Sequence, residues 1–402
     1  SVTSICSFVL IKLSDMEGLI RRVSILLLIL SVCSADLLDS KYEIVNGVPY
    51  NKDAPRDENY PYCPRDDFIE LEPGNSLTEV RINCTCSHPD DDFLPSFVCV
   101  GLPNITYLEA YFKRLFPTYL ASRISVSSSN LFRIPADVFS DKEPKVITMY
   151  NNILDEIHPE AFRYTRPTLQ VLEIDYEPEL EYFPFTSLNE FPELIELRLN
   201  NNELRNITEL ADTRLSRLQI LNLDNNKIET EFPKLRYLPE LRVVSARNSL
   251  LSSISTELPF EELQRLEVIN FNGNNIESIY AGSFVFDQQT EIRTIDLGNC
   301  NINSVEEGAF VGLLDSTELR LDNNELTTFS EDAFRETVET MMSGSGKIYL
   351  EGNLITCCCD VNWIVSNIPL QAPLVGATCA GNVLLTQLPP DYLNPLCPPA
   401  SL

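Results

Sequence analysis

The side chains that most often carry out catalysis are scarce in this chain, or they lack the spacing that catalysis requires. Only two histidines are present, His88 and His158, and neither stands at a recognised spacing from a serine or cysteine nucleophile. The sequence has no glycine-rich phosphate loop and no metalloprotease helix motif. The run Asp90-Asp91-Asp92 could ligate calcium, but a solvated loop is favoured because no ligand-spaced loop follows. We therefore predict no enzyme activity and no catalytic, cofactor or metal site.

The charge of the chain excludes two further classes of partner. Lys and Arg together number 30 and Asp and Glu number 59, which gives a net charge of −29. Binding to nucleic acid or to anionic lipid requires clustered basic residues. We therefore expect a protein partner and no nucleic acid.

The N-terminal segment has the pattern of a secretory signal peptide. Arg21 and Arg22 precede an apolar run from Val23 to Ala35, which ends in small residues. A membrane anchor is the alternative, but the run is shorter than the roughly 20 apolar residues that cross a bilayer. We therefore predict a secreted, extracellular protein that is cleaved after Ala35 and has no membrane span.

The cysteines fall mainly into two groups, one towards each end of the chain. Of the 12 cysteines, Cys6 and Cys33 precede the predicted cleavage point, and Cys300 stands apart as a predicted buried, unreactive thiol. Zinc is the rival interpretation of clustered cysteines, but an oxidising compartment favours disulfides. The two groups are Cys63, Cys84, Cys86 and Cys99, and Cys357, Cys358, Cys359, Cys379 and Cys397.

Between these cysteine groups the sequence repeats. The template L-x-x-L-x-L-x-x-N is seen from Leu194 to Asn202, and its Asn-type position returns every 23 to 29 residues. This is the period and consensus of the leucine-rich repeat. One copy is disturbed, because Glu177-Pro178 inserts a residue before Leu180. The Asn-type positions are Ser129, Asn152, Glu177, Asn202, Asn226, Ser249, Asn274, Cys300, Asn324 and Asn353.

The repeat predicts a leucine-rich repeat solenoid of the α/β class. Each L-x-L forms a short strand whose alternate side chains point into the core, and no coil buries its apolar side without neighbours. We therefore expect a curved horseshoe with a parallel β-sheet on the concave face and short helical, 3-10 and loop segments on the convex face. Disulfide-bonded caps are expected at both ends. Five phenylalanines are predicted to stack as a spine: Phe139, Phe162, Phe284, Phe310 and Phe334.

The chain is thereby divided into seven predicted segments. They are 1–15, a translated leader before Met16; 16–35, the signal peptide; 36–62, a flexible acidic tail; 63–122, the N-terminal cysteine cap with the segment leading into the repeats; 123–356, about ten repeats; 357–397, the C-terminal cysteine cap; and 398–402, a tail.

Three short segments resemble a known group of secreted arthropod proteins. They are Phe183-Pro184-Phe185, the run from Gly346 to Asn353, and Cys357-Cys358-Cys359-Asp360-Val361-x-Trp363. The chain resembles the non-catalytic leucine-rich-repeat subunit of oplophorus-luciferin 2-monooxygenase and its relatives, with departures at Cys358 and Leu354. The resemblance implies a subunit without chemistry and the disulfides Cys63–Cys86, Cys84–Cys99, Cys357–Cys379 and Cys359–Cys397.

The concave sheet is the predicted binding surface, because solenoid curvature creates an extended face there. A merely solvated polar face is the alternative. Arg198, Arg247 and Arg320 are the candidate anchors, since arginine is enriched at binding hot spots. The other predicted partner-binding residues are Asn222, Asp224, Asn270, Asn272, Asp296, Asp322 and Tyr349.

Three sequons predict N-linked glycans at Asn83, Asn104 and Asn206. Asn206 lies past its strand, so a glycan there would leave the concave face open. Together these features lead to the hypothesis of a secreted, non-enzymatic protein that binds another protein. The alternative is a non-catalytic subunit that stabilises a secreted enzyme, as the resemblance implies.

Overall fold

The computed structural model describes residues 83–87, 94–113, 120–287, 290–379, 383–393 and 397, and the backbone of four short strands nearer the N-terminus. The predicted leader, signal peptide and most of the acidic tail lie outside the described residues, as do Cys63, His88 and Asp90-Asp91-Asp92. Within the described part of the chain, no helix has the length and apolar character needed to cross a membrane.

Most of the regular structure consists of short strands. In chain order they are β1 (Tyr42–Val45), β2 (Val48–Asn51), β3 (Phe68–Leu71), β4 (Thr78–Arg81), β5 (Cys84–Ser87), β6 (Ser96–Val100), β7 (Leu120–Ser127), β8 (Phe132–Ile134), β9 (Glu143–Tyr150), β10 (Leu154–Ile157), β11 (Val171–Asp175), β12 (Glu196–Arg198), β13 (Ile220–Asn222), β14 (Val243–Ser245), β15 (Val268–Asn270), β16 (Ser278–Ile279), β17 (Phe284–Val285), β18 (Thr294–Asp296), β19 (Ser304–Val305), β20 (Phe310–Val311), β21 (Glu318–Arg320), β22 (Lys347–Tyr349), β23 (Leu374–Val375), β24 (Thr378–Cys379) and β25 (Val383–Leu384).

Helical segments are few and short. The α-helices are α1 (Ile105–Phe112), α2 (Glu331–Met342) and α3 (Asn362–Val365). The Ser330 side chain caps α2 by accepting from the Ala333 N–H, and Phe334, Val338 and Met341 form its buried face. The 3-10 turns span Arg163–Thr165, Phe185–Glu190, Thr208–Asp212, Cys359–Val361, Ile368–Gln371 and Leu385–Gln387.

One thirteen-stranded sheet runs the length of the repeats. Its order is β5-β6-β7-β9-β11-β12-β13-β14-β15-β18-β21-β22-β23, and only the pairing of β5 with β6 is antiparallel. The predicted register is confirmed: Leu172 lies opposite Leu197, and Leu197 lies opposite Leu221. The predicted solenoid with cysteine caps is therefore the fold of this chain.

The Asn-type positions form a ladder of hydrogen bonds between coils. Asn226 is buried, its Nδ2 donates to the carbonyls of Leu199 and Leu223, and its Oδ1 accepts from the Leu204 N–H. Without Asn226, the Leu199 carbonyl and the Leu204 N–H would be buried without partners, while the Leu223 carbonyl also accepts from the Ser249 hydroxyl. Cys300 occupies the same slot, where it is fully buried and its Sγ contacts the Phe271 carbonyl at 3.1 Å.

The disturbed repeat contains the predicted insertion. Glu177 takes the ladder position, because its N–H donates to Asn202 Oδ1 and its carboxylate accepts from the backbone and side chain of Asn152. Leu180 is nevertheless buried and corresponds to Leu204 of the next coil, since the Leu180 carbonyl accepts from the Glu203 N–H. The extra residue is therefore accommodated between Glu177 and Leu180.

The predicted aromatic spine is confirmed in two stretches. Phe139 stacks on Phe162 with ring centroids 5.8 Å apart. Phe284 stacks on Phe310 at 5.3 Å, and Phe310 on Phe334 at 6.4 Å. Sequence reasoning missed Phe232 and Phe260, which extend the second stack, and Phe185, which packs edge to face on Phe183.

Disulfides are present near both ends of the solenoid. Cys84 is bonded to Cys99, Cys357 to Cys379, and Cys359 to Cys397, which are three of the four pairs that the resemblance implies. Cys86 is also disulfide-bonded, and Cys63 lies outside the described residues. Among the described cysteines, Cys300 is a buried free thiol and Cys358 an exposed one.

Candidate functional site: the concave face

The concave face of the sheet consists of three rows of side chains that run across the strands. Alternate residues point to opposite sides of a strand, so in β12 Leu197 is buried while Glu196 and Arg198 are half-buried. The strand pairings align the half-buried positions from coil to coil. A partner would therefore meet parallel rows, each with one side chain per strand.

The three rows are named by their order along each strand. The first row is Arg123, Val146, Val171, Glu196, Ile220, Val243, Val268, Thr294, Glu318 and Lys347. The central row is Ser125, Thr148, Glu173, Arg198, Asn222, Ser245, Asn270, Asp296, Arg320 and Tyr349. The third row is Ser127, Tyr150, Asp175, Asn200, Asp224, Arg247, Asn272, Gly298, Asp322 and Glu351.

All ten predicted partner-binding residues lie on this face. The central row contains Arg198, Asn222, Asn270, Asp296, Arg320 and Tyr349. The third row contains Asp224, Arg247, Asn272 and Asp322. The structure therefore brings these residues onto one surface, and their role in binding stays a prediction.

The three candidate arginines are not equivalent. Arg198 pairs with Glu196 of its own strand at 2.8 Å. Arg320 pairs with Glu318 at 3.4 Å, and its guanidinium lies 4.5 Å from the centre of the Tyr349 ring. Arg247 is exposed and makes no ion pair within the described part of the chain. Arg247 is therefore the arginine of the three whose charge is not already offset.

Polar side chains fix the surface between the rows. Asp224 accepts from the Ser245 hydroxyl at 2.5 Å and from the Arg247 N–H at 2.8 Å. Asn272 donates to Asp296 at 3.1 Å. Because these bonds cross from one coil to the next, the face is held rigid before any partner arrives, which lowers the entropic cost of binding.

Sequence reasoning missed the apolar character of the first row. Val146, Val171, Ile220, Val243 and Val268 are half-buried on the concave face, in a series interrupted only by Glu196. The signal was available, because these residues stand immediately before the first core residue of each strand. The first row is therefore apolar from Val146 to Val268, apart from Glu196, and polar at both of its ends.

Sequence reasoning also missed an exposed pair of tyrosines. Tyr150 of the third row and Tyr176, just after β11, are 46% and 49% exposed, and their ring centroids are 5.3 Å apart. Asp175 lies directly opposite Tyr150 in the sheet. Aligning the repeats by their Asn-type positions would have revealed Tyr176, because most other coils have Asn or Gly at that slot.

Two carboxyl groups near this end of the sheet have displaced pKa values. Burial raises the pKa of Glu177 to about 7, although hydrogen bonds from Asn152 act in the opposite direction. Burial also raises the pKa of Glu143 to about 7, with a contribution from Asp141. Glu177 supports the ladder and Glu143 begins β9, so neither has the partners of a general acid or base.

The remaining titratable groups give no sign of chemistry. The His158 ring accepts a hydrogen bond from the Glu160 N–H in a convex turn. Burial raises the pKa of the Cys300 thiol to about 11, so it stays protonated and unreactive. Within the described residues there is no cluster of three or more His, Cys, Asp or Glu side chains that could hold a metal ion.

A second concavity lies beside the sheet, in the loops that precede β12 to β14. It encloses about 620 Å³ and is lined by Phe191, Pro192, Pro239, Tyr237 and Arg214 among others. Arg214 stacks over the Tyr237 ring at 4.5 Å. Ser216 lines this groove, but no histidine is among the lining residues to activate its hydroxyl.

The predicted glycan sites differ in local geometry. Asn206 is exposed, and its Oδ1 accepts from the backbone and hydroxyl of Thr208. Asn104 makes the corresponding contacts to Thr106 while capping α1. The Asn83 Nδ2, the atom to which a glycan would attach, donates to the Val100 carbonyl at 2.9 Å.

Comparison with known families identifies leucine-rich repeats in two segments of the chain and indicates no activity. The family model described as Leucine rich repeat matches residues 290–340, and one described as Leucine Rich Repeat matches residues 217–237. No curated protein matches the chain. None of these findings supports the narrower resemblance to the monooxygenase subunit, and no catalytic family is indicated.

Three solved structures of complexes contain chains that are similar to this one. A chain from the octameric complex of Latrophilin 3, Unc5D and FLRT2 is 18% identical with a TM-score of 0.55, over 75% of this chain and 90% of that one. A chain of the Toll–Spatzle complex, described as a hub in Drosophila development and innate immunity, is 14% identical with a TM-score of 0.49, over 73% of this chain and 47% of that one. A chain of the TLR13–ssRNA13 complex is 18% identical with a TM-score of 0.47, over 64% of this chain and 32% of that one.

Proposed function

We propose that this leucine-rich repeat protein is secreted, has no enzymatic activity, and binds another protein through its concave face. The observation that carries the proposal is the alignment of three half-buried rows across the sheet, one side chain per strand. Cross-coil hydrogen bonds hold these side chains in place. A rigid, extended, chemically varied surface of this kind suits the recognition of a macromolecule.

The distribution of polar groups supports binding over catalysis. Nine of the 19 buried polar side chains in the described part of the chain belong to the ladder, and those of Asn202, Asn226 and Asn274 bond to backbone. Partly exposed polar residues are spread along the rows and do not converge on a single point. A reaction centre requires converging groups, whereas a binding face requires complementarity over area.

Secretion is supported by the chemistry of the caps. Three disulfides near the ends of the solenoid require an oxidising compartment to form and persist. The signal-peptide pattern before residue 36 is consistent with that compartment. The same proposal includes N-linked glycans at Asn206 and Asn104. The side chain of each of these residues accepts a hydrogen bond from the Thr of its own sequon.

Site-specific photo-crosslinking from the secreted, glycosylated protein tests this proposal. A crosslinking residue replaces Asn222 or Asn270 on the concave face, or Arg163 in a convex 3-10 turn as the control. Arg166 is a poorer control because its side chain joins Glu160 and Glu190. In extracellular fluid from the source, we expect protein adducts from the two concave positions and none from Arg163. Adducts from the convex position alone, or from no position, would reject the concave face as the binding surface.

A further inference from the structure

One slot of the repeat has a left-handed backbone in almost every coil. It is the residue immediately before the ladder position, and its φ lies between 49° and 57° wherever it is Asn. Asn and Gly are the residues that adopt this conformation most readily. The Asn residues at this slot are Asn151, Asn201, Asn225, Asn248, Asn299 and Asn323, and Gly273 and Gly352 occupy it in two further coils.

Tyr176 occupies this slot with a φ of 57°. A bulky side chain is disfavoured in the left-handed region, because its Cβ crowds the backbone. Burial does not compensate for this strain, since Tyr176 is 49% exposed. A strained residue whose side chain contributes little to the core points to a role outside folding.

The surroundings of Tyr176 define what it could contact. Its ring packs edge to face on Tyr150, which is also about half exposed, with centroids 5.3 Å apart. Asp175 lies opposite Tyr150, and Glu173 lies on the same face of β11. The pair therefore presents two aromatic faces beside two carboxylates.

Some tyrosines are covered by the chain's own arginines. Arg320 lies over Tyr349 and Arg214 over Tyr237, each at 4.5 Å from the ring centre. No arginine or lysine of the described residues lies over Tyr150 or Tyr176. Among the described residues Asp175 accepts only from the neutral amide of Asn201, at 2.8 Å, whereas Glu173 lies opposite Arg198 in the sheet. The two rings and Asp175 therefore lack the cation that Tyr349 and Tyr237 have.

We infer that Tyr150 and Tyr176, with Asp175, receive an arginine or lysine side chain from a basic segment of the protein partner. The inference rests on the proposed function, since it assigns a partner chemistry to one end of the concave face. A cation over an aromatic ring is attracted by the ring's electron density, and the adjacent carboxylate adds a charge-assisted hydrogen bond. The net charge of −29 favours the approach of such a segment.

A pair of isosteric peptides tests the inference directly. One is a short labelled peptide of alternating Arg and Ser, and the other replaces each Arg with citrulline, which has nearly the same shape without the charge. Fluorescence anisotropy at about 0.15 M salt compares the wild type with Tyr176→Asn and Tyr150→Thr. The controls are Tyr280→Asn, an exposed tyrosine outside the three rows, and Glu307→Gln, an exposed carboxylate outside the three rows.

We expect the arginine peptide to bind the wild type and the citrulline peptide not to bind. Tyr176→Asn and Tyr150→Thr should each weaken binding about tenfold, as loss of a desolvated cation–π contact would. Tyr280→Asn should have no effect, and Glu307→Gln should change affinity less than about twofold. Unfolding midpoints no lower than that of the wild type would show that the loss is not due to misfolding.

Several results would overturn the inference. They are equal binding of the two peptides, no binding of either, unchanged affinity in both tyrosine variants, or equal losses from Tyr176→Asn and Tyr280→Asn. Equal losses from Glu307→Gln and the tyrosine variants would mean that net charge alone attracts the peptide. In each of these cases, crosslinks from Asn222 and Asn270 would still support concave-face binding. The two proposals therefore fail separately.

Discussion

The coil that contains Tyr176 and Glu177 differs from the coil around Asn225 and Asn226, although both occupy equivalent places in the sheet. In the regular coil, Asn225 takes the left-handed slot and Asn226 bonds three backbone groups. In the irregular coil, a strained tyrosine and a buried carboxyl group fill the same two slots. The regular coil is suited to stability, and the irregular coil departs from it where side chains reach the concave face. Local departures from a repeat can therefore indicate binding residues.

The largest expected effect comes from removing the ladder side chain of the regular coil. Asn226→Ala would leave the Leu199 carbonyl and the Leu204 N–H without their partner, whereas the Leu223 carbonyl would keep its bond from the Ser249 hydroxyl. Each unpaired buried group costs roughly 1–3 kcal/mol, so we expect a loss of about 3–5 kcal/mol in the free energy of unfolding. Denaturant titration measures it, and a loss below about 1 kcal/mol would contradict the ladder account.

The second prediction concerns the charged ladder position of the irregular coil. The pKa of Glu177 is raised to about 7, above its ordinary value of 4.5, because burial disfavours the charged form. The stability it contributes is therefore complete below about pH 4.5 and is lost as the pH rises through 7. Glu177→Gln cannot titrate but keeps only one oxygen to accept from Asn152. It should therefore reduce the loss of stability between pH 4 and pH 8 by roughly 1–3 kcal/mol.

Glu143 provides the control for this pH dependence. Its pKa is also raised to about 7 by burial, so the stability that Glu143 contributes is likewise lost as the pH rises through 7. When the unfolding midpoint is plotted against pH from 4 to 8, Glu177→Gln should retain part of the wild-type slope. The slope should be smallest in the double variant with Glu143→Gln. An undiminished slope in the double variant would mean that other groups cause it.

Third, restoring the usual residue at the left-handed slot should stabilise the irregular coil. Tyr176→Asn relieves strain of about 1 kcal/mol and removes little buried area, since the ring is 49% exposed. We expect a small rise in the unfolding midpoint. The reverse substitution, Asn225→Tyr, should lower stability by a similar amount. Destabilisation by Tyr176→Asn would show that the ring contributes to folding. It would contradict the conclusion that the irregular coil is less suited to stability than the regular coil.

The smallest expected effect is at Cys300, the third kind of ladder residue. Its Sγ contacts the carbonyls of Phe271 and Gly298 but cannot accept hydrogen bonds as well as an amide oxygen. Cys300→Asn should therefore stabilise the protein by about 0.5 kcal/mol.

In the wild type, thiol reagents should modify Cys358 and leave Cys300 untouched until the chain unfolds, because Cys300 is buried. Rapid modification of native Cys300 would contradict this assignment.

The repeat consensus made much of the fold predictable. Leu197, Leu199 and Asn202 recur with one spacing, and a side-chain period of two assigns each strand residue to the core or to the surface. The insertion after Glu177 could be read in the same way, as could the phenylalanines of the spine. The candidate site was predictable only as a face, and sequence reasoning overlooked the valines of its first row and Tyr150.

The sequence alone determined the coil register, the buried leucines, the ladder and the concave positions of Arg198, Arg247 and Arg320, because these follow from a local pattern repeated along the chain. Only the tertiary structure decided how those side chains interact. Glu196 and Glu318 offset two of the arginines, and Tyr176 meets Tyr150 on the next coil. Contacts between coils join residues about 25 positions apart and depend on rotamers and backbone φ. Those quantities are set when the coils stack, and no pattern within one repeat specifies them.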